Sequence, residues 1–101
     1  MKFKQGVPDD IMARPDPRLL QAREIYDTLL AFYFSQGEGT ITSTSDGKHM
    51  TGSKHYTVPR QGEDWRFPVL FRNLLFDLQT QLEEIGLEVI IEKDHFHIES
   101  R

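Results

Sequence analysis

The sequence predicts an α+β domain in which an antiparallel β-sheet is packed on one side by two main helices. Three observations carry this. Apolar residues recur at helical spacing in two segments, 17–34 and 68–85. Between and after them stand short β-branched or alternating runs at 40–44, 63–67, 87–91 and 95–100. The last two runs are separated by Lys93-Asp94 alone, which suggests a tight antiparallel hairpin.

Residues 1–15 contain Pro8 and Pro15 and show no periodicity, so they read as an extended N-terminal arm. Asp16 followed by Pro17 is a helix start, a capping acid before proline at the first helical position. Leu19, Ala22, Ile25 (with Tyr26), Leu29 and Tyr33 form the apolar stripe of this helix through Phe34, and Gly37 is placed to close it. Thr40 to Thr44 reads as a short strand, Ser45-Asp46-Gly47 as a turn, and residues 48–62 as a loop. Glu63 to Phe67 is a second strand. Pro68 opens the second helix, whose buried side is expected to carry Phe71, Leu74, Leu75, Leu78, Leu82 and Ile85, with Gly86 as its stop. Phe76 is also assigned to the core.

The chain of 101 residues is long enough for one domain with a single core. A net charge of −4 with scattered basic residues argues against a nucleic-acid partner. The absence of cysteine excludes disulfides and thiolate metal sites. The N-terminus has charge but no apolar core of a signal peptide, and no apolar run approaches the ~20 residues of a membrane span. The expectation is a monomer that is cytoplasmic as synthesised.

The histidines carry the chemistry. On a strand, side chains at i and i+2 share a face, so His95 and His97 point to one place. His55 precedes the acids Glu63 and Asp64 in a segment expected to border the same sheet. Imidazoles with a carboxylate, and no thiolate, are the ligand set of a catalytic rather than a structural zinc. Taken singly these residues have blander readings. A lone loop histidine such as His55 is more often solvated, His49 is read as exposed or as a donor behind the ligands, and Asp64 as a surface acid. Their joint occurrence in a chain with four histidines puts a metal site on a level with the blander readings.

Four stretches together resemble a known family. They are Thr42-Ser43-Thr44-Ser45-Asp46-Gly47-Lys48-His49, Ser53-Lys54-His55-Tyr56, Asp64-Trp65-Arg66, and Glu92-Lys93-Asp94-His95-Phe96-His97-Ile98-Glu99. Over residues 17–100 the chain looks like small phage or prophage members of the zinc D-alanyl-D-alanine carboxypeptidase and L-alanyl-D-glutamate endopeptidase family, whose fold the Hedgehog signalling domain shares. The resemblance implies that fold, a Zn2+ cofactor, and hydrolysis of a peptide bond in bacterial peptidoglycan, reached in the cell wall after release. It implies His55, Asp64 and His97 as metal ligands, Asp94 as general base, His95 as the group that stabilises the transition state, and Ser53 as a substrate contact.

The chain departs from the family in two places. The segment from His55 to Asp64 is about two residues longer than the family's H-x-x-G-x-A-x-D, and Val58-Pro59-Arg60 replaces the glycine nearest His55. We place a bulge between His55 and Gly62, with Glu63 as the competing ligand should it lie elsewhere. The arginine that carboxypeptidase members aim at a free carboxylate is missing, and Lys48 is a poor bidentate substitute, which favours cleavage inside a peptide. Hairpin geometry sets Glu92 opposite His95 and Ile90 opposite His97, so Glu92 is the reserve base. The alternative function is a non-catalytic metal-binding or interaction domain of the same fold.

Overall fold

Asp16 and Pro17 begin the first helix as their chemistry predicts. In the computed structural model, which describes residues 1–10, 14–35, 37–44, 60–66 and 72–101, helix α1 spans Pro17–Phe34. The Asp16 carboxylate accepts the Arg18 backbone N–H at 2.9 Å, satisfying a donor that a helix start leaves without a partner. The far end differs from the expectation. Ser35, not Gly37, closes the helix in the left-handed conformation (φ 54°, ψ 25°), its N–H donating to the Ala31 carbonyl at 3.1 Å. The chain must reverse here to enter the sheet at Thr40, so the turn falls directly after Phe34.

The strands are β1 (Lys2–Phe3), β2 (Thr40–Ser43), β3 (Gly62–Arg66), β4 (Leu87–Ile91) and β5 (His95–Ser100). They form one sheet in the order β1-β2-β3-β5-β4. β1 runs parallel to β2 and every other pairing is antiparallel, so the sheet is mixed rather than antiparallel throughout. The source of the difference is the N-terminal arm. Its start lies along β2 as an edge strand, a pairing between distant segments that no local pattern announces.

Helix α2 (Arg72–Glu84) ends at Gly86, whose φ of +83° is the left-handed backbone glycine tolerates. Its expected start at Pro68, and Phe71 as a core residue, lie outside the described residues, as does the expected turn at 45–47. The Tyr33 hydroxyl donates to the Asp77 carboxylate and ties the two helices together.

Both helices cover one face of the sheet. Cross-strand partners share a face, so Trp65, Phe96 and Ile91 form one row, and Glu63, Ile98 and Val89 the next. Trp65, Phe96, Ile98, Leu87 and Val89 join Leu19, Ala22, Tyr26, Leu29, Leu30, Leu74, Leu78 and Leu82 in a single buried core. Tyr26 stacks on Trp65 with ring centroids 4.8 Å apart and meets the Phe96 ring edge-on at 6.0 Å. Tyr26 rather than Ile25 is therefore the central residue of α1. Phe76 is a correction: it is 69% exposed, because it falls between the buried Leu74 and Leu78 on the outer side of α2.

A buried ionic cluster joins α1 to this face. Arg23 of α1 donates from Nε and Nη2 to Glu63 at 2.8 and 2.6 Å, and from Nη1 and Nη2 to Asp10 at 2.7 and 3.1 Å. Arg60 Nη2 donates to Asp10 at 3.0 Å and to Glu63 at 3.2 Å. Trp65 Nε1 adds a bond to Glu63 at 2.9 Å. Two arginines and two carboxylates balance in charge, as buried ions require. No helix among the described residues is long and apolar enough to cross a membrane.

Candidate functional site

The other face of the sheet follows from the same alternation. Gly62, Asp64 and Arg66 of β3 stand opposite Glu99, His97 and His95 of β5. On the far side of β5, Glu88 and Ile90 of β4 stand opposite Glu99 and His97. Two adjacent antiparallel strands thus bring Asp64 beside His97 and carry His95 and Glu99 one step to either side.

The side chains form a continuous chain of hydrogen bonds and one ion-pair contact. Asp64 Oδ1 lies 2.9 Å from His97 Nδ1, and Asp64 Oδ2 lies 3.5 Å from His95 Nε2. One carboxylate therefore faces both imidazoles. Beyond them, His97 Nε2 is 2.8 Å from Glu99 Oε1, and His95 Nδ1 is 2.6 Å from Asp94 Oδ1. Burial grades along the chain: Asp64 and His97 are buried, His95 is partly covered, and the Asp94 side chain is 82% exposed.

This arrangement sets the protonation. Burial alone would disfavour a charged His97, but the bonds to Asp64 and Glu99 and their negative charges outweigh it and raise its pKa above the usual 6.5. An imidazole with a carboxylate at each nitrogen needs two N–H groups to satisfy both, so the imidazolium is favoured. A divalent cation at Nδ1 would take the place of one of those protons. The bond from His95 holds the Asp94 carboxyl below its usual range.

Four of the residues singled out in the sequence thus meet: Asp64, His95, His97 and Asp94. Glu92 sits opposite His95, its backbone N–H donating to the His95 carbonyl at 2.9 Å, with its side chain exposed. Glu63 does not join them. It lies on the helix-covered face, fully buried, its oxygens taken by Arg23, Arg60 and Trp65. Adjacent strand residues point to opposite faces, so Asp64 and Glu63 cannot both reach the imidazoles. Ser53, His55, His49 and Lys48 lie outside the described residues.

Among the described residues, no group of three or more His, Cys, Asp or Glu side chains is arranged to hold a metal ion. Asp64 and His97 nonetheless fit as two donors. Ligands of a tetrahedral zinc with bonds of 2.0–2.1 Å stand about 3.3 Å apart, and the Asp64 oxygen and His97 nitrogen are 2.9 Å apart. A small separation of the two would admit the ion.

Two features escaped the sequence reading. Glu99 lies two residues beyond His97 on the same strand face, so the rule that pairs His95 with His97 also reaches it. The burial of Arg23 and Arg60 around Glu63, with Asp10 beside them, left no such signal, because it depends on contacts between segments far apart in the chain. No family model, curated protein or solved structure matches this chain.

Proposed function

We propose that the chain is a small zinc peptidase with a Hedgehog/DD-peptidase-like fold that hydrolyses a peptide bond within bacterial peptidoglycan. One observation carries the reading. Asp64 and His97, 33 positions apart, lie side by side and buried on the sheet face that α1 and α2 leave uncovered, with a second imidazole at the same carboxylate. Asp64, His97 and His55 would hold the ion, and Ser53 would contact the substrate. When bound, zinc supplies a Lewis acid and lowers the pKa of a coordinated water to about 7.

The protein's own groups do the rest. Asp94 receives the proton of the attacking water and returns it to the leaving amine. Its ionised state is favoured by the bond to His95 Nδ1, at 2.6 Å. His95 keeps Nδ1 on Asp94 at 2.6 Å and would turn the N–H of Nε2, now 3.5 Å from Asp64, to the oxyanion that develops on the scissile carbonyl. Glu92, opposite His95 on the same face, is the reserve base. The protein acts as a monomer, without nucleic acid, and reaches the wall only after release from the cytoplasm.

The lengthened segment between His55 and Asp64 favours a second reading, a domain that binds metal or a partner without catalysis. One experiment separates the two. Purified protein is analysed for zinc and incubated with purified peptidoglycan, with and without chelator. The peptidase reading expects one zinc per chain, release of new amino groups, and loss of both in His97→Ala. Zinc without cleavage supports the second reading, and neither zinc nor cleavage rejects the metal centre altogether.

A further inference from the structure

We infer that the outer edge of β4 is a docking site for an extended peptide segment of the pattern basic–x–apolar–x–basic, which adds to the sheet as a further strand. β4 (Leu87–Ile91) is the last strand in the sheet order, and among the described residues it pairs with β5 alone. Hydrogen-bonded and non-hydrogen-bonded pairs alternate along an antiparallel ladder. This ladder is bracketed by two bonds, from Glu92 N–H to the His95 carbonyl at 2.9 Å and from Arg101 N–H to the Gly86 carbonyl at 3.1 Å. Glu88 and Ile90 therefore also aim their backbone groups at β5. Leu87, Val89 and Ile91 aim theirs outward, where no described residue meets them. The opposite edge, β1, is two residues long and offers no comparable ladder. β5 separates the β4 edge from Asp64, so docking there needs no metal.

The outward N–H and C=O groups give main-chain bonds to any strand, and the side chains choose which. Alternation sets Glu88, Ile90 and Glu92 on the polar face. Ile90 is 36% and Ile91 44% exposed, apolar surface that an added strand covers. Neither Glu88 nor Glu92 meets a cation among the described residues. On the β5 side Glu88 faces Glu99, a like charge, so a base on its outer side is the favourable partner. Glu92 faces His95, whose ring is turned to Asp94 and Asp64. An antiparallel strand of the stated pattern places bases opposite Glu88 and Glu92 and its apolar residue opposite Ile90. A second copy of the chain fits less well. Twofold pairings of β4 with itself centred on Glu88, Val89, Ile90 or Ile91 set Glu88 opposite Glu88, Ile90, Glu92 or Asp94 of the other copy, never a base. The acids that suit a basic strand thus keep two like edges apart.

The test uses the intact protein and the capped heptapeptide Thr-Lys-Thr-Val-Thr-Lys-Thr, which carries the pattern in either chain direction. Backbone NMR shifts and amide hydrogen exchange are followed at low ionic strength, where exposed charge pairs are least screened. The expected result is saturable binding that protects the amides of Leu87, Val89 and Ile91. In the unbound protein these exchange freely, while those of Glu88, Ile90 and Glu92 are slow. A peptide with glutamate for both lysines binds about fivefold weaker or more, and Glu88→Lys combined with Glu92→Lys reverses that preference. Ile91→Pro, which removes an outward N–H and leaves the bonds to β5 in place, weakens binding of the lysine peptide. No binding at millimolar peptide, or equal affinity for the two peptides, overturns the proposal. So does protection of Leu87, Val89 and Ile91 in the free protein that grows with its concentration, since a second copy then occupies the edge. The exchange pattern and the peptide comparison are both read on the wild type, so a misfolded variant does not decide the matter.

Discussion

Glu63→Gln tests the division of labour between the two faces of β3. The substitution keeps the shape of the side chain and removes its charge. Four N–H groups now converge on the Glu63 carboxylate: Nε and Nη2 of Arg23, Nη2 of Arg60, and Nε1 of Trp65. Glutamine has one acceptor oxygen, and its amide nitrogen would face donors. Arg23 and Arg60 would retain Asp10 as their carboxylate in the cluster, itself partly exposed, while they stay almost wholly buried. Breaking a buried ion pair from one side costs about 3–5 kcal/mol, a large part of the 5–15 kcal/mol typical of a domain. At roughly 4 °C or more per kcal/mol for a chain of this length, the Tm should fall by at least about 12 °C. Urea unfolding followed by fluorescence is well suited, because Trp65 is the sole tryptophan and is fully buried beside the substitution. Glu83→Gln is the control: Glu83 meets Arg101 at 3.3 Å with both side chains half exposed, and its loss should change stability by less than about 1 kcal/mol. A Glu63→Gln protein within about 1 kcal/mol of the wild type at unchanged urea dependence would refute the account of the cluster.

Two further outcomes are expected. Leu78→Ala should cost about 2–5 kcal/mol in urea unfolding, whereas Phe76→Ala, two positions away but 69% exposed, should stay within about 0.5 kcal/mol; equal costs would contradict the assigned face of α2. In the presence of chelator, the contribution of His97 should depend on pH with a definite sign. Its folded pKa is raised above 6.5 by Asp64 and Glu99 against the effect of burial, so its stabilisation is complete below about pH 6.5 and lost as pH rises through the folded value. The stability difference between the wild type and His97→Gln should therefore shrink from about pH 6 to about pH 8; a difference that grows over this range would be the wrong sign.

Local chemistry made much of the framework legible. The Asp16-Pro17 pair marks the start of α1, Gly86 the stop after α2, and Lys93-Asp94 the corner between β4 and β5. The short corner also sets the register, so Ile90 opposite His97 and Glu92 opposite His95 can be derived without knowing the rest of the fold. Strand alternation puts His95 and His97 on one face, and applied one step further it reaches Glu99. What local rules miss is contact between distant segments. The parallel pairing of Lys2–Phe3 with Thr40–Ile41 has no motif behind it. Phe76 has the composition of a core residue and a position on α2 that denies it one.

The sequence by itself therefore determined the two helices, the four strands β2 to β5 and the alternation that gives β3 and β5 a helix-covered face and a polar one, because these depend on backbone periodicity and on residues a few positions apart. It also set Asp64 beside Glu63, with Asp64 the ligand that the resemblance implies and Glu63 its competitor. Only the tertiary structure shows which face each of the two occupies. By laying β3 between β2 and β5 with the helices on one side, it turned Glu63 inward to balance two buried arginines and Asp64 outward to meet two imidazoles. A shift of one residue in that pairing would exchange their environments, and pairing across a sheet is set by the packing of the whole domain.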